Sequence, residues 1–478
     1  MFVLTFLKAL QDNSSLKVED EENPENQENE GNNDNEEAGN IENQDTNDET
    51  GEFVTPEESE AEEENLGRGM RIKKLPEKLK DFVMMSYHEA VNSEDKAKWI
   101  NAINEEKEAL ALNNTWKLVN REEARNKKVL TSRWVFKVKD NGRYRARLVV
   151  RGCQQREGID FDEVFSPVVG GDALRVMLAH SAKQGYHLMK FDVKTAFLYG
   201  TIKEELYMEM PDGYSDKTKI CRLEKALYGL RQAPACWNKR LTTTLQRMGL
   251  NPLKTEQCVF VNSDHTMFLA VHVDDGIIAG KSWEKLREVV STLEKEFKVV
   301  AFENPSTYLG LDICKTDTYL KLSQKGYADA VVRKYRMEDA KTAPTPIAQQ
   351  KKPQEDNETQ KIAFPYREAV GSLLYLSTKT RPDIALAVGF CGRHVENPRQ
   401  TDVQNIKRTL KYVKGTADLG VNYVINNDSP EKLVAYCDAD FAGDELSRKS
   451  TTGFVIFYSD GPKQMIVYIS SSDDVSRR

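Results

Sequence analysis

The stretch MFLAVHVDDGIIAG, Met267 to Gly280, decides how the rest of the sequence is read. Two runs of β-formers flank Val273, Asp274, Asp275 and Gly276, a pattern that predicts a β-hairpin with two carboxylates on its bend. Adjacent anions between apolar strands are unfavourable unless positive charge meets them, and a divalent cation with oxygen ligands is the simplest partner. The plainer alternative is a solvated bend in which Asp-Asp-Gly is only good turn chemistry.

A second stretch weighs against that alternative. HLMKFDVKTAFLYG, His187 to Gly200, again ends an apolar run on a carboxylate, Asp192. A strand that brought Asp192 beside the hairpin would gather three acids in one place. Two Mg²⁺ ions held by such acids can activate a hydroxyl nucleophile and stabilise a leaving pyrophosphate in an in-line displacement.

These residues also carry a family resemblance. FDVKTAFLYG, then KALYGLRQAPACW at Lys225 to Trp237, then HVDD at His272 to Asp275 resemble the successive palm motifs of the reverse transcriptase of copia-type LTR retrotransposons. With its flanking segments the resemblance runs from Arg68 to Tyr458. It implies an α+β fold: a right-hand polymerase of fingers, palm and thumb, a connection region, and an incomplete RNase H-like β-sheet at the C-terminus. The implied activity is RNA-directed DNA synthesis, with an RNA template, a DNA primer or RNA-DNA duplex, deoxynucleoside triphosphates and two Mg²⁺ ions, Mn²⁺ being the alternative. Other Pol or Gag products are the implied protein partners, and the setting is intracellular.

By the same resemblance Asp192, Asp274 and Asp275 are the catalytic and metal-holding acids, and Val193 adds its backbone carbonyl to the metal. Phe197 corresponds to the aromatic that stacks under the sugar and excludes a 2′-hydroxyl; read alone, it fills core. Gln232 corresponds to a Gln presented to the incoming nucleotide and template, where an amide that donates and accepts tolerates every base pair. Read alone, Gln232 is an ordinary helix-start residue. The commonest form of the last motif has Tyr where this chain has His272, a change that leaves the acids intact and is expected to lower activity.

Charge divides the chain. Between Glu19 and Glu64 there are 21 Asp or Glu and no Lys or Arg, and removing these from the net −8 leaves +13 on the remainder. Residues 1–67 are therefore expected to be a disordered acidic region, either a soluble spacer or an electrostatic mimic that folds back on a basic groove. In the resembling polyproteins such a linker joins integrase to polymerase, so the chain reads as a fragment of a longer product. MFVLTFLKAL is too short and too interrupted by Lys8 to read as a signal peptide or membrane span. The seven cysteines never occur as CxxC and read as scattered reduced thiols.

The polymerase is expected over residues 68–340. Arg68 to Val83 is a basic connector, and Glu89 to Leu112 has the apolar spacing of a helix, with Trp99 as a core residue. TSRWVFKVKDNGRYRARLVV, Thr131 to Val150, predicts a hairpin around Asp140-Asn141-Gly142. Lys137 with Arg145 or Arg147 is the choice for the triphosphate; a charged edge strand is the alternative. Asp160 and Asp162 read as surface or capping acids. Further helices are expected over Ala173 to Gly185, from Pro234 to about Met248, over Trp283 to Phe297 and over Ser323 to Arg336, with TYLGLDI at Thr307 to Ile313 as a strand.

A polar linker is expected at 341–362 and a helical connection at 363–430. Residues 431–478 resemble the first two strands of an RNase H domain, with Asp438 where its first metal-binding acid would be. No Glu follows Glu445, so nuclease activity is not expected. Two other functions remain open: a catalytically silent remnant that binds nucleic acid, and a nuclease built on Asp438 and Asp440.

Overall fold

The computed structural model describes residues 82–83, 85–139, 141–216, 218–348, 363–425, 433–441, 448–458 and 465–473, with 82–83 and 465–473 described by backbone alone. The acidic N-terminal region, the opening apolar run, most of the basic connector and most of the polar linker lie outside them. The described residues form two compact units, one containing 163–201 and those from 234 onward, the other 202–233 and those from 82 to 162.

The smaller unit is built on the expected basic hairpin, Ser132–Val138 and Tyr144–Val150, whose partner on the outer side is Phe82–Val83. Gly142, at φ 75°, supplies the left-handed residue that closes the bend. Helix Lys96–Leu112 packs on the second strand, with Trp99 edge-on to Phe136 and Tyr144. The single helix expected from Glu89 is two, because Ser93 takes an extended conformation after Tyr87–Asn92 and ends it. A second sheet orders Trp116–Asn120, Lys219–Leu223, Tyr207–Glu209 and Val129–Leu130.

The larger unit is organised on a six-stranded sheet in the order Val299–Glu303, His187–Val193, Asp275–Gly280, Met267–His272, Val259–Val261, Asn251–Pro252. All five pairings are antiparallel. Alternation explains why the hairpin strands are apolar on both sides. Leu188, Phe268, Ala270, Ile277 and Ala279 join one core with helix Gly171–Lys183. Met189, Phe191, Leu269, Val271 and Ile278 join another with helices Ala233–Arg247 and Trp283–Glu294.

Beyond this sheet, Thr307–Tyr308, Leu311–Lys315 and Tyr319–Ser323 form a further sheet that Gly420–Val424 completes. Helix Lys325–Lys334 shares a core with Tyr366–Lys379, Ala385–Gly392 and Gln400–Gly415. At the C-terminal end, Leu433–Ala439, Ser450–Tyr458 and Met465–Asp473 make a three-stranded antiparallel sheet. Its third strand was not anticipated.

Candidate active site

Strand register gathers the carboxylates. Asp275 is the cross-strand partner of Asp192, His272 is the partner of Asp275 across the hairpin, and Val300 flanks Asp192 on its other side. Directly opposed residues share a face, so His272, Asp275 and Asp192 stand in one row. The next row on that face holds Ile277, Lys190 and Phe302.

Two like charges directly opposed destabilise a sheet. Here lysines offset them: Lys194 Nζ pairs with Asp192 Oδ2, and Lys190 Nζ lies 3.4 Å from Asp275 Oδ1. Both carboxylates stay accessible, at 26% for Asp192 and 34% for Asp275. The sequence reading gave Lys194 no role and passed over Lys190. The signal was KFDVK itself, where alternation puts both lysines on the face of Asp192.

Asp274 occupies the two-residue bend between the strands, next to Val273. Val273 has φ 56°, a left-handed value normally left to Gly or Asn and costly for a β-branched side chain, on the order of 1–3 kcal/mol. Thr195, three residues after Asp192, is also left-handed at φ 53°. The bend carbonyls are all engaged. Trp237 Nε1 donates to Val273 O at 2.6 Å, the Val193 N–H to Asp274 O at 2.9 Å, and the Tyr308 hydroxyl to Asp275 O at 3.3 Å. Burial, and then the charge of Asp275, pushes the Tyr308 phenol far up, so it remains a donor.

Three carboxylates and the backbone oxygens beside them make an all-oxygen donor set, which suits a hard cation such as Mg²⁺. Among the described residues, no three His, Cys, Asp or Glu side chains converge on one ion's position. The Asp192 and Asp275 carboxylates are turned instead toward their lysines.

The remaining sequence candidates lie elsewhere. Phe197 sits in the short turn Ala196–Tyr199, half-buried against the core that contains Trp237. Gln232, in the smaller unit, is 2% exposed. Its Nε2 donates to Asp160 O at 3.0 Å and to Glu204 Oε2 at 3.2 Å, and its Oε1 accepts from Gln155 at 2.9 Å. Asp160 is buried rather than on the surface, because its carboxylate accepts the Arg156 N–H at 2.8 Å and pairs with the Arg156 guanidinium.

Lys137 and Arg145 are cross-strand partners, and Arg147 lies two positions further on the same face. Arg147 stacks 4.4 Å above the Tyr228 ring, while its Nε has no hydrogen-bond partner among the described residues. Arg143 is committed to Glu105 at 2.8 Å. Asp438 is exposed at the end of its strand and caps the Ala439 N–H at 2.9 Å. Among the described residues no helix is long and apolar enough to cross a membrane.

Comparison with known proteins gives the chain's relatives. Residues 113–349 match the family described as reverse transcriptase (RNA-dependent DNA polymerase). The chain is 37% identical over 396 residues to the retrovirus-related Pol polyprotein from transposon TNT 1-94 of Nicotiana tabacum, covering 79% of this chain and 29% of that protein. It is 34% identical to the Pol polyprotein from transposon RE1 of Arabidopsis thaliana, covering 78% and 26%, and 27% identical to the transposon Ty1-DR5 Gag-Pol polyprotein of Saccharomyces cerevisiae, covering 77% and 22%. The chain thus spans less than a third of these curated relatives. A foamy viral protease-reverse transcriptase in complex with double-stranded DNA aligns with a TM-score of 0.43 at 12% identity, over 78% of this chain and 55% of that one. Through residues 113–349 the chain belongs to the reverse transcriptase family, as represented in copia-type retrotransposon Pol polyproteins.

Proposed function

We propose that the chain is an RNA-directed DNA polymerase that extends a primer by nucleotidyl transfer at Asp192, Asp274 and Asp275. The observation that carries this reading is the register pairing of Asp275 with Asp192, with Asp274 adjacent. Opposed carboxylates weaken a sheet and persist where they have a cation to hold. Mg²⁺ bound there, or Mn²⁺ in its place, would polarise the primer hydroxyl and neutralise charge on the leaving pyrophosphate.

The chain's own groups supply the rest. Asp192 and Asp274 would be the principal holders of the cations, with Asp275 assisting and the Val193 carbonyl completing the donors. Lys190 and Lys194 balance the carboxylates until a cation takes over that role. Phe197 selects deoxynucleotides by blocking a 2′-hydroxyl, and Gln232 meets the nascent pair once Glu204 or Gln155 gives way. Lys137, Arg145 and Arg147 grip triphosphate and template phosphates. The partners are an RNA template, a DNA primer or RNA-DNA duplex, deoxynucleoside triphosphates and other Pol or Gag products, inside the cell where the template is made. Asp438 stands where the first metal-binding acid of an RNase H-like sheet would be.

Primer extension on an RNA template tests the reading. The native chain incorporates deoxynucleotides in Mg²⁺ and Asp274→Asn loses at least about a hundredfold in rate, as expected when a charged transition-state contact is removed. Equal incorporation by the two proteins counts against the assignment. A second reading, a silent remnant that binds nucleic acid, draws support from the lysine-paired carboxylates and from His272. Salt-sensitive binding without extension is its signature.

A further inference from the structure

The three consecutive carbonyls at the hairpin bend each accept from a donor on a different segment: Trp237 for Val273, Val193 for Asp274, Tyr308 for Asp275. The first and last donors are side chains that reach the bend from opposite faces of the sheet. Trp237 belongs to the core with helices Ala233–Arg247 and Trp283–Glu294, and Tyr308 to the core with helix Gly171–Lys183.

Both are themselves held rigidly. Trp237 is 1% exposed and lies edge-on to Phe297 at 5.2 Å. A Cβ on Gly200 would sit 2.9 Å from Cys236 Cβ and 3.0 Å from the Trp237 N, so the helix start is packed against bare backbone. Tyr308 is 1% exposed, and its hydroxyl also lies 3.4 Å from Ala270 O. Val273 alone would leave φ 56° for an extended or helical conformation, carrying Asp274 and Asp275 with it.

We propose that Trp237 and Tyr308 are positioning residues that clamp the strained Val273–Asp275 bend from its two faces. The clamp keeps Asp274 and Asp275 beside Asp192 before cation or nucleotide arrives. Neither residue touches substrate; each acts through a backbone carbonyl. The clamp rests on the polymerase reading for its purpose, and on the hydrogen bonds alone for its geometry.

The test uses the full chain with Trp237→Phe, Tyr308→Phe and the double variant Trp237→Phe/Val273→Gly. Mn²⁺ binding without nucleic acid is followed by electron paramagnetic resonance, and kcat and KM for deoxynucleotide are measured on a primed RNA template. Trp237→Phe keeps an aromatic ring in place and is expected to lower both Mn²⁺ affinity and kcat about tenfold, the scale of one buried hydrogen bond, with KM changed less than about twofold. Tyr308→Phe, which removes one oxygen, gives a smaller loss of the same pattern. Gly adopts positive φ freely, so Val273→Gly recovers part of the Trp237→Phe loss.

Native Mn²⁺ affinity and kcat in Trp237→Phe, or a loss that Val273→Gly leaves untouched, overturns the proposal and makes Trp237 a packing residue. Should Trp237→Phe fail to fold, Tyr308→Phe decides by the same comparison. A native chain that binds Mn²⁺ but does not extend primers sinks the polymerase reading, while the Mn²⁺ comparison still judges the clamp.

Discussion

At Gly276 the chain has no room for a side chain. A Cβ there would lie 2.1 Å from Cζ of Phe191, its cross-strand partner and the residue before Asp192. Phe191 is 1% exposed and cannot move aside without opening the core beneath the acids. Gly276→Ala is therefore expected to destabilise the protein by about 3 kcal/mol, the upper end for overpacking, as read from the denaturant midpoint. An unchanged midpoint would mean that Phe191 has an alternative rotamer available. This contact shows what was legible at the scale of residues. Asp192, Asp274 and Asp275 stood out because charges interrupt apolar runs, and the glycine read as turn chemistry. That Gly276 makes space for a ring 85 positions earlier depends on strand register, which no local pattern reports. The same holds for Tyr308 and for the buried Asp160.

Helix Lys96–Leu112 docks on the basic hairpin through an acid. Glu106 is 7% exposed and accepts the Leu148 N–H at 3.2 Å. Burial raises its pKa above the ordinary carboxylate value, with the Leu148 hydrogen bond and the charges of Arg147 and Arg145 opposing. An acid with a raised folded pKa favours the folded state below the unfolded value and loses that contribution as pH climbs through the folded one. Glu106→Gln keeps an acceptor for Leu148 without the charge. It should raise the melting temperature at pH 8, leave it nearly unchanged at pH 4, and flatten the curve between; a variant less stable at pH 8 would show that the arginines dominate. Elements were legible where periodicity was long and caps were local, as in the hairpins and in helix Ala233–Arg247. The division at Ser93 and the strand Met465–Asp473 were not, because one extended residue and a sheet partner settle them rather than apolar spacing.

Over the whole chain the dominant asymmetry is electrostatic, since 21 acids between Glu19 and Glu64 oppose a remainder of +13. The basic part is crowded at the hairpin. Burial, and then Arg145, Arg143, Arg147 and Lys137, holds the Lys139 ammonium below the usual lysine range, as expected where positive potential accumulates. A surface of that kind binds phosphates by releasing their counterions, each contact adding about 0.7–0.9 to the slope of log affinity against log salt. Replacing Lys137, Arg145 and Arg147 together by Ala should flatten that slope by about two to three for a primed RNA template, measured by fluorescence anisotropy. The acidic segment acts in the opposite direction. Deleting Glu19–Glu64 takes the net charge from −8 to +13 and should tighten binding at low salt, with the advantage fading as salt screens it. If the deletion gains the same factor at every salt concentration, the segment acts by a route other than its charge; if it gains nothing, the 21 acids lie too far from the bound strand to be felt.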